Sequence, residues 1–332
     1  MDLSILDNPI TEDEVWETIR SLPADRAPGP DGYTGRFFKA CWQVIKADFM
    51  AAIISLQQGD ARGLGLLNAA YITLIPKKVD AMTAKDFRPI SLVHSFAKLI
   101  TKILANRLAP FSDSLVSTNQ SAFIRGRCIH DNFILVQQTV KVLHQQKVPS
   151  LCIKLDISKA FDSVSCSFLL EVLQDLGFGL PWCNLVSNLL STSSTCILVN
   201  GEPGEILQNQ RGLRQGDPLS PMLFILVMDV LNTLFAKAGN EGLLQPLSQR
   251  MAGQRVLLYA DDVALFIKLI EEELQITRDI LTVFGVASGL QTNIHKNNII
   301  PISCADDSLT AIQDILPCTI SEFQCKYLGL MP

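Results

Sequence analysis

Two short apolar runs separated by adjacent acidic residues constrain the fold of this chain most. Val256–Tyr259 and residues 263–267 are rich in apolar and β-branched side chains, and Ala260, Asp261 and Asp262 lie between them. Two such runs with so short a connection predict a β-hairpin that carries acids at its tip. An earlier apolar run, residues 151–155, is likewise followed directly by an acid, Asp156. Charged side chains mostly lie on solvated surfaces, so acids that end apolar strands point to a specific site.

Adjacent carboxylates in a partly buried setting repel each other, which raises their pKa values unless a cation lies between them. Mg²⁺ suits such a site because it prefers carboxylate oxygens and keeps coordination positions for substrate phosphates. Two ions about 4 Å apart can activate an attacking oxygen and stabilise a leaving one. The alternative is a polar turn beside an unrelated aspartate, which is the commoner case for an isolated Asp-Asp turn. Asp156 at a matching strand end favours the metal site.

The remaining sequence alternates predicted helices and strands, without an internal repeat. Thr11 and Glu14 form the pattern of a capping box at the start of a helix that ends before Pro23. Asn200-Gly201 is the strongest hairpin signal, and Asp217-Pro218 has the pattern of a helix start. Helical periodicity is also found over residues 37–56, 96–108 and 271–284 and in the segment that ends at Gly177, and strands are predicted over 70–75, 151–156 and 196–199.

Composition excludes several classes of protein. With 332 residues and 48% hydrophobic side chains, the chain can bury a sizeable core, and we expect two lobes. The longest central apolar run, residues 222–228, is far shorter than the roughly 20 residues of a membrane span. The N-terminus has no secretory signal pattern, so the protein is not expected to be secreted. Nine cysteines without a C-x-x-C pair argue against a disulfide framework or a zinc site.

The charge is distributed unevenly along the chain. The whole chain is acidic, with 28 basic and 33 acidic residues, which by itself disfavours nucleic-acid binding. Residues 71–154 nevertheless carry a balance of +8, and the remainder carries −13. Within this segment, Lys98, Lys102 and Arg107 are spaced to share one side of a helix. The segment is either a surface for a polyanion or an ordinary solvated face, and charge alone leaves both open.

Several motifs together resemble the reverse transcriptase domain of a non-LTR (LINE-type) retrotransposon, most similar to the plant versions. Tyr259-Ala260-Asp261-Asp262 resembles the catalytic Y-A-D-D box of that family, and residues 154–162 resemble its first aspartate motif. Residues 211–221, which read R-G-L-R-Q-G-D-P-L-S-P, are similar to a third motif almost letter for letter. The chain also resembles the fingers motifs of that family, over residues 27–32, 74–77, 87–91, 119–123 and 125–127. The resemblance covers nearly the whole chain in the order of the family.

The resemblance implies an α+β right-hand polymerase fold with a palm, made of a small antiparallel sheet plus helices, and largely helical fingers. It implies an N-terminal extension over residues 1–60, fingers over 61–150 and a palm over 151–332. Within the palm, residues 205–240 would form the motif loop and helix that complete the active site. No segment remains for a thumb, which we therefore expect to be missing.

The resemblance assigns catalysis to Asp156, Asp261 and Asp262, which would bind two Mg²⁺ ions together with the main-chain carbonyl of Ile157. One ion would activate the primer 3′-hydroxyl for attack on the α-phosphate, and the other would neutralise the triphosphate. Lys296 resembles the family lysine that protonates the pyrophosphate leaving group. A single exposed lysine is more often only a solvated charge.

Substrate-binding roles follow from the same resemblance. Lys77 and Arg88 would grip the triphosphate, helped by main-chain N–H groups near Lys159 and Ala160, although Lys78 is an alternative to Lys77. Their other interpretation is ordinary surface charge.

Three further motifs complete the implied site. Phe161 lies where the family has a steric gate against the sugar 2′-hydroxyl, and otherwise it is a core aromatic. Gln215 and Gly216 would line the nascent base pair, unless they are only a loop before a capped helix. The segment Tyr327, Leu328 and Gly329 resembles the primer grip, and otherwise it is an edge strand.

The implied function is that of an RNA-directed DNA polymerase, with an RNA template, a DNA primer, dNTPs and two Mg²⁺ ions. The alternative is a truncated, catalytically silent retroelement relic that keeps the fold and binds nucleic acid. A two-metal nuclease or an NTPase is less favoured, because the sequence has no phosphate-loop motif. The family integrates into chromosomal DNA, so we expect the nucleus, with the cytoplasm as the alternative, and the sequence leaves the oligomeric state open.

Overall fold

The computed structural model describes residues 1–248, 255–293, 296–305, 312 and 315–321. The chain forms two compact units, and each is assembled from two separate stretches of sequence. Unit 1 comprises residues 1–110 and 166–223, and unit 2 comprises residues 111–165 and 224–332. These units are delimited differently from the predicted extension, fingers and palm, and that division stays a prediction.

The described part of the chain contains helices, strands and three short 3₁₀ helices. The helices are α1 (Glu12–Ser21), α2 (Gly35–Gln57), α3 (Leu64–Leu67), α4 (Ser95–Leu108), α5 (Ser112–Leu115), α6 (Ile129–Gln145), α7 (Ala160–Ser163), α8 (Cys166–Asp175), α9 (Leu180–Ser191), α10 (Ser220–Asn240) and α11 (Glu271–Ser288). The strands are β1 (Ala69–Pro76), β2 (Phe87–Val93), β3 (Ser150–Leu155), β4 (Ser194–Val199), β5 (Glu202–Gln208), β6 (Val256–Tyr259), β7 (Asp262–Lys268), β8 (Asn298–Ile302) and β9 (Thr319–Ile320). The 3₁₀ helices span Ser4–Asp7, Ala84–Asp86 and Ala109–Phe111.

Unit 1 is built around a four-stranded sheet in the order β2-β1-β4-β5. β1 pairs antiparallel with β2 and parallel with β4, and β4 pairs antiparallel with β5. The β4–β5 hairpin turns at Asn200 and Gly201, whose φ angles of 53° and 87° are those of a primed hairpin turn. The predicted hairpin is therefore confirmed.

The N-terminal helix of unit 1 begins as predicted, but its capping box is incomplete. The Thr11 side chain accepts a hydrogen bond of 3.3 Å from the main-chain N–H of Glu14. The Glu14 carboxylate instead accepts two bonds of 2.6 Å from Arg107 on α4, and Arg107 also donates to the main-chain carbonyls of Asn8 and Pro9. Arg107 thus makes internal contacts with the N-terminal segment, and its charge is paired with Glu14 instead of adding to the basic side predicted for α4.

Unit 2 is built around a five-stranded sheet in the order β6-β7-β3-β8-β9. Central β3 pairs antiparallel with both β7 and β8, and the outer pair β8 and β9 is parallel. The core of this unit joins apolar side chains of α6 to those of the sheet: Val136, Val140, Leu143, Cys152, Leu257, Phe266 and Ile300. A mostly antiparallel sheet covered by helices is the α+β arrangement expected for a palm.

Helix α10 is a long apolar helix, and its residues from Phe224 onward belong to unit 2. Phe224, Val227 and Met228 are completely or almost completely buried. Within the described residues, α10 alone has the length and apolarity to cross a bilayer, and half of its apolar stretch is buried inside the protein. Asp229 interrupts the apolar run, and its carboxylate accepts hydrogen bonds from the main-chain N–H and the hydroxyl of Ser117.

Candidate active site

The acidic turn of unit 2 is formed by the hairpin that the sequence predicted. Tyr259 pairs with Asp262 in the β6–β7 register, so Ala260 and Asp261 form a two-residue turn. Ala260 has a φ of 55°, which lies in the left-handed region that two-residue hairpin turns require. This geometry leaves Asp261 exposed at the tip and makes Asp262 the first, half-buried residue of β7.

The central strand brings the third aspartate to the same end of the sheet. Leu155 of β3 pairs with Val263 of β7, so the next residue, Asp156, lies opposite Asp262. Directly opposed residues of antiparallel strands have Cα atoms only about 4.5–5.5 Å apart. The fold therefore brings Asp156 together with Asp261 and Asp262, although about a hundred residues separate it from them in sequence.

The electrostatics of Asp262 reflect this crowding. Burial raises the pKa of its carboxyl above the ordinary value, and the charges of Asp261 and Asp156 raise it further. Lys154 on β3 lowers the same pKa and offsets part of this effect. Within the described residues, no three His, Cys, Asp or Glu side chains are gathered tightly enough to enclose a metal ion. The cluster consists of hard oxygen donors, the type that Mg²⁺ prefers.

The main chain of Asp156 is held on both sides by the segment that carries Lys296. The buried side chain of Asn297 accepts a hydrogen bond of 2.8 Å from the N–H of Asp156. The N–H of Asn293 donates a bond of 2.7 Å to the Asp156 carbonyl. Lys296 itself is exposed and lies in the same segment.

The predicted carbonyl ligand, Ile157, lies directly beside this clamp. An antiparallel bridge joins Ile157 to Thr292. The bridge uses the carbonyl of Asp156 and the N–H of Ser158, which donates to Gln291, and therefore leaves the Ile157 carbonyl out of this pairing.

The acidic turn is held from the other side of the hairpin by Gln120. Its side-chain carbonyl accepts bonds of 3.0 Å from the N–H of Ala260 and 2.9 Å from that of Ala122. The main chain around Gln120 also pairs with Leu258 of β6. Gln120 is completely buried, so the main chain next to Asp261 is hydrogen-bonded to a side chain inside the protein.

The predicted steric gate is a fixed aromatic ring. Phe161, on the short helix α7, stacks on Phe224 of α10 with ring centroids 4.3 Å apart and an angle of 14° between the rings. Phe161 is half-buried, so one part of the ring packs while another part is accessible. Of the two residues predicted to offer main-chain N–H groups, Lys159 is exposed with a φ of 48°, and Ala160 is buried. The primer-grip residues Tyr327, Leu328 and Gly329 lie outside the described residues.

The two residues predicted to grip the triphosphate belong to unit 1. Arg88 of β2 is exposed and pairs with Ile75 of β1, at the end of the ladder near the hairpin connection. The ammonium group of Lys77 donates to the carbonyl of Lys85, whereas that of Lys78 lies 2.9 Å from the Asp86 carboxylate. Lys78 is neutralised by this ion pair, so the arrangement favours Lys77 over Lys78 for anion binding.

The Gln-Gly loop of unit 1 lies against the same strand as Arg88. The carbonyl of Gln215 accepts a bond of 2.9 Å from the N–H of Ser91 on β2. Gly216 has a φ of 103°, and an added Cβ would lie 3.2 Å from the Ser91 carbonyl oxygen. Arg214 fixes the loop by donating to the side-chain oxygen of Asn68, and burial lowers the pKa of Arg214 to about 10. Two motifs that are far apart in sequence, residues 87–91 and 211–221, thus meet in one unit.

Comparison with known proteins identifies the family. Residues 75–331 match the family described as reverse transcriptase (RNA-dependent DNA polymerase). The chain belongs to the reverse transcriptase family. The palm-and-fingers fold of that family combines helices and sheets, in agreement with the predicted α+β class, and its members act with divalent metal ions on a template, a primer and dNTPs.

The relatives of this reverse transcriptase domain are proteins of non-LTR retrotransposons. The Transposon TX1 uncharacterized 149 kDa protein of Xenopus laevis is 29% identical over 295 residues, which are 88% of this chain and 22% of that protein. The Retrovirus-related Pol polyprotein from type-2 retrotransposable element R2DM of Drosophila melanogaster is 30% identical over 329 residues, 96% of this chain and 29% of that protein. A Pol polyprotein from type-1 retrotransposable element R2 of Nasonia vitripennis is 33% identical over 260 residues, 77% of this chain and 24% of that protein.

These comparisons place the domain among the LINE-type elements that the motifs indicated. By resemblance it is an RNA-directed DNA polymerase, and it spans less than a third of the length of these relatives. The expected likeness to plant versions has no support in them.

Two residues that support this candidate site were not predicted from the sequence. Asn297 directly follows Lys296, and the resemblance gave it no role, yet it holds the main chain of Asp156. Gln120 appeared only as a letter of a fingers motif, yet it holds Ala260. Their partners are 141 and 140 residues away, so no local pattern could have revealed either contact.

Proposed function

We propose that this domain catalyses RNA-templated DNA synthesis at Asp156, Asp261 and Asp262, with two Mg²⁺ ions held by these carboxylates. The observation that carries the proposal is the β3–β7 register, which places Asp156 opposite Asp262 and beside the turn that carries Asp261. Carboxylates from two non-adjacent strand ends converge in this way where a shared cation offsets their repulsion. An ordinary polar turn without a metal site would not require Asp156 at the neighbouring strand end.

The residues present fit a divalent cation. The pKa of Asp262 is raised by burial and by its two acidic neighbours, so added positive charge would stabilise the ionised cluster. The Ile157 carbonyl is a further oxygen donor that its strand bridge leaves out. When bound, the two ions would lower the pKa of the attacking hydroxyl and stabilise the charge of the leaving pyrophosphate.

The chain's own side chains would then bind and orient the substrates. Arg88 and Lys77 would bind the phosphates of the incoming nucleotide, since a guanidinium and an ammonium both pair well with phosphate oxygens. Phe161 would exclude a ribose 2′-hydroxyl by its bulk, and Gln215 with Gly216 would contact the nascent base pair. Lys296, exposed beside the clamp on Asp156, would donate a proton to the departing pyrophosphate.

A catalytically silent relic that still binds nucleic acid is the second candidate. In this candidate the three neighbouring carboxylates belong to the retained fold and support no synthesis. The two candidates make opposite predictions for the same assay.

The deciding experiment is primer extension with poly(rA), oligo(dT), dTTP and Mg²⁺. We expect extension by the purified protein, loss of extension in EDTA, and its return when Mg²⁺ is restored. Asp261→Asn should abolish extension without changing the thermal unfolding temperature, because Asp261 is exposed. Asp279→Asn, an equally conservative change at an exposed aspartate of α11, should have no effect.

Two results would revise the proposal. Template binding without extension by the unmodified chain would support the silent relic. Normal extension by Asp261→Asn would remove the metal assignment.

A further inference from the structure

Helix α10 carries a carboxylate that has no role in the proposed chemistry. Asp229 follows the apolar residues 224–228, and it accepts a bond of 2.9 Å from the main-chain N–H of Ser117 and a second bond from the Ser117 hydroxyl. Burial raises the pKa of the Asp229 carboxyl, whereas the Ser117 bonds and the charge of Arg127 lower it. A buried carboxylate costs free energy that an apolar side chain at the same position would avoid. We therefore expect Asp229 to serve a purpose other than the stability of its helix.

Residues 117–122, which we call the support segment, lie beside the strand that leads into the acidic turn. Gln120 forms a parallel bridge with Leu258 of β6. Two main-chain hydrogen bonds of 2.9 Å join the segment to Leu258, one to its N–H and one to its carbonyl. The Gln120 side chain then accepts from the N–H of Ala260, which directly precedes Asp261. The position of the support segment therefore sets the position of the acidic turn.

Helix α10 holds the support segment at two points. Asp229 binds Ser117, and the side-chain oxygen of Asn232 accepts a bond of 2.9 Å from the side-chain amide of Asn119. Asp229 and Asn232 are three residues apart, so they lie on the same face of α10. The support segment is thus hydrogen-bonded to α10 as well as to the strand of the acidic turn.

Arg127 keeps the support segment folded as a compact turn. Its guanidinium donates to the main-chain carbonyls of Ser117 and Gln120, and the bond to Gln120 is 2.6 Å long. It also pairs with Asp113 at 2.8 Å, but 77% of the Asp113 side chain is exposed, against 15% of the Arg127 side chain. Because water weakens the exposed ion pair, we attribute the rigidity of the turn mainly to the carbonyl contacts. A displacement of Ser117 would therefore carry Gln120 with it.

We propose that Asp229 is a positioning residue of the reverse transcriptase site and sets the place of Asp261 through the support segment. The proposal rests on the function proposed above, because it takes Asp261 as a catalytic carboxylate. Asp229 acts through two intermediate residues: its carboxylate holds Ser117, and Gln120 of the same segment holds Ala260. Without the carboxylate, Ser117 is released, and the acidic turn loses the fixed position of its support.

The direct test is hydrogen–deuterium exchange of the Ala260 amide in the metal-free protein. Asp229→Ala should speed this exchange roughly tenfold, the equivalent of one lost hydrogen bond. The N–H of Phe266, which donates to the carbonyl of Arg255 in the same unit, should keep its rate. Ser117→Ala is the milder variant, because it removes only the hydroxyl bond, and it should speed Ala260 exchange to a smaller extent.

The matched control is Asp279→Ala. It makes the same chemical change at an aspartate of α11 whose side chain is 70% exposed. The exchange of Ala260 should not change in this variant, because the exposed carboxylate supports no segment of the acidic turn.

Primer extension measures the consequence for catalysis. Asp229→Ala should lower kcat roughly 10- to 100-fold with little change in the KM for dTTP, because the change displaces a catalytic group and leaves the nucleotide contacts in place. Gln120→Met already lacks the carbonyl that holds Ala260. In that background, Asp229→Ala should lower kcat by no more than about threefold, because the two residues act in series.

Three results would overturn the proposal. The first is unchanged Ala260 exchange in both Asp229→Ala and Ser117→Ala. The second is equal acceleration at Ala260 and Phe266, which would mean that Asp229 only stabilises unit 2. The third is a full, multiplicative loss of kcat in the Gln120→Met background. Because exchange is measured without catalysis, an inactive unmodified protein would contradict the proposed function and leave the exchange result standing.

Discussion

At the scale of single residues, the site depends as much on amide side chains that hold the backbone as on the carboxylates. Asn297 accepts from the N–H of Asp156, and Gln120 accepts from the N–H of Ala260. Both amides are buried, where a lost partner costs about 1–3 kcal/mol because the remaining group stays desolvated. Small displacements of reacting groups are costly in catalysis, roughly 100-fold for 1 Å. We therefore expect these amides to act as positioning residues.

Asn297→Leu tests this role. The variant keeps the size of the side chain but leaves the N–H of Asp156 without its acceptor, so Asp156 should shift. We expect kcat for primer extension to fall roughly 10- to 100-fold, with little change in the KM for dTTP. Asn293→Ala is the control, because Asn293 contributes its main-chain N–H, which the change preserves. Equal losses in both variants, or a loss confined to KM, would contradict a positioning role of the Asn297 side chain.

Phe161→Val tests the steric gate. The stacking on Phe224 fixes the Phe161 ring, and the smaller valine would leave room for a 2′-hydroxyl. We expect the preference for dTTP over UTP on a poly(rA) template to fall roughly tenfold or more, mainly through a better kcat/KM for UTP. Phe161→Tyr, which keeps a full ring, should retain the preference. Unchanged sugar selection in Phe161→Val would mean that the ring only packs against α10.

At the scale of elements, Asp217 lies where the Gln-Gly loop leads into the long apolar helix α10. The buried Asp217 carboxylate accepts bonds of 2.9 Å from the N–H of Leu219 and 3.2 Å from that of Ser220. Asp217 thus caps the helix as predicted, although α10 begins at Ser220 and not at Pro218. Burial raises the pKa of the Asp217 carboxyl, so the folded protein favours its protonated form. The stability that this protonation supplies is complete below the unfolded pKa of about 3.9 and is lost as the pH rises through the folded pKa.

Two substitutions at Asp217 should separate the cap from the charge. Asp217→Asn keeps an oxygen that caps the helix and removes the buried charge, so its stability relative to the unmodified protein should increase from about pH 4 upward. Asp217→Ala loses the cap and should be destabilised by about 1 kcal/mol relative to Asp217→Asn. Urea unfolding of the three proteins at pH 4, 5.5 and 7 measures both effects. A constant difference between Asp217→Asn and the unmodified protein at all three values would contradict the raised pKa.

Element boundaries were the part of the fold that local sequence predicted well. The Asn200-Gly201 hairpin, the Thr11 cap and the β6–β7 turn each depend on residues within a few positions of one another, and the structure confirms all three. The second half of the Thr11 capping box failed because Glu14 pairs with Arg107, which is 93 residues away. A tertiary ion pair with two hydrogen bonds of 2.6 Å outweighs one local hydrogen bond to an exposed N–H.

At the scale of the whole molecule, the order of residues along the chain does not show which stretches form each compact unit. The predicted division at residues 60 and 150 follows the chain, whereas each unit combines two stretches, and residues 166–223 join the N-terminal half. The parallel pairing of β1 with β4, which are more than a hundred residues apart, creates this arrangement. No short sequence pattern predicts such a pairing, because it depends on the closure of a long connection between the two strands. The resemblance to a known family, by contrast, anticipated that distant aspartates converge.

The salt dependence of RNA binding is the prediction that tests the charge distribution of the chain as a whole. The net charge of −5 gives the molecule no general attraction for RNA, so affinity has to come from local basic residues. The segment over residues 71–154 carries +8, although Arg107 in it is paired with Glu14, which lies outside the segment. We expect log K for a single-stranded oligo(rA) to fall linearly with log salt, by roughly 0.7 for each phosphate contact.

The control for this prediction is an oligonucleotide with an uncharged methylphosphonate backbone. It releases no condensed counter-ions on binding, so its affinity should be low and nearly independent of salt. A flat salt response for the charged strand would mean that the basic residues of 71–154 are an ordinary solvated face. A steep response for the charged strand and a flat one for the uncharged strand would instead show that an acidic protein binds RNA through a local surface, because only phosphate contacts distinguish the two ligands.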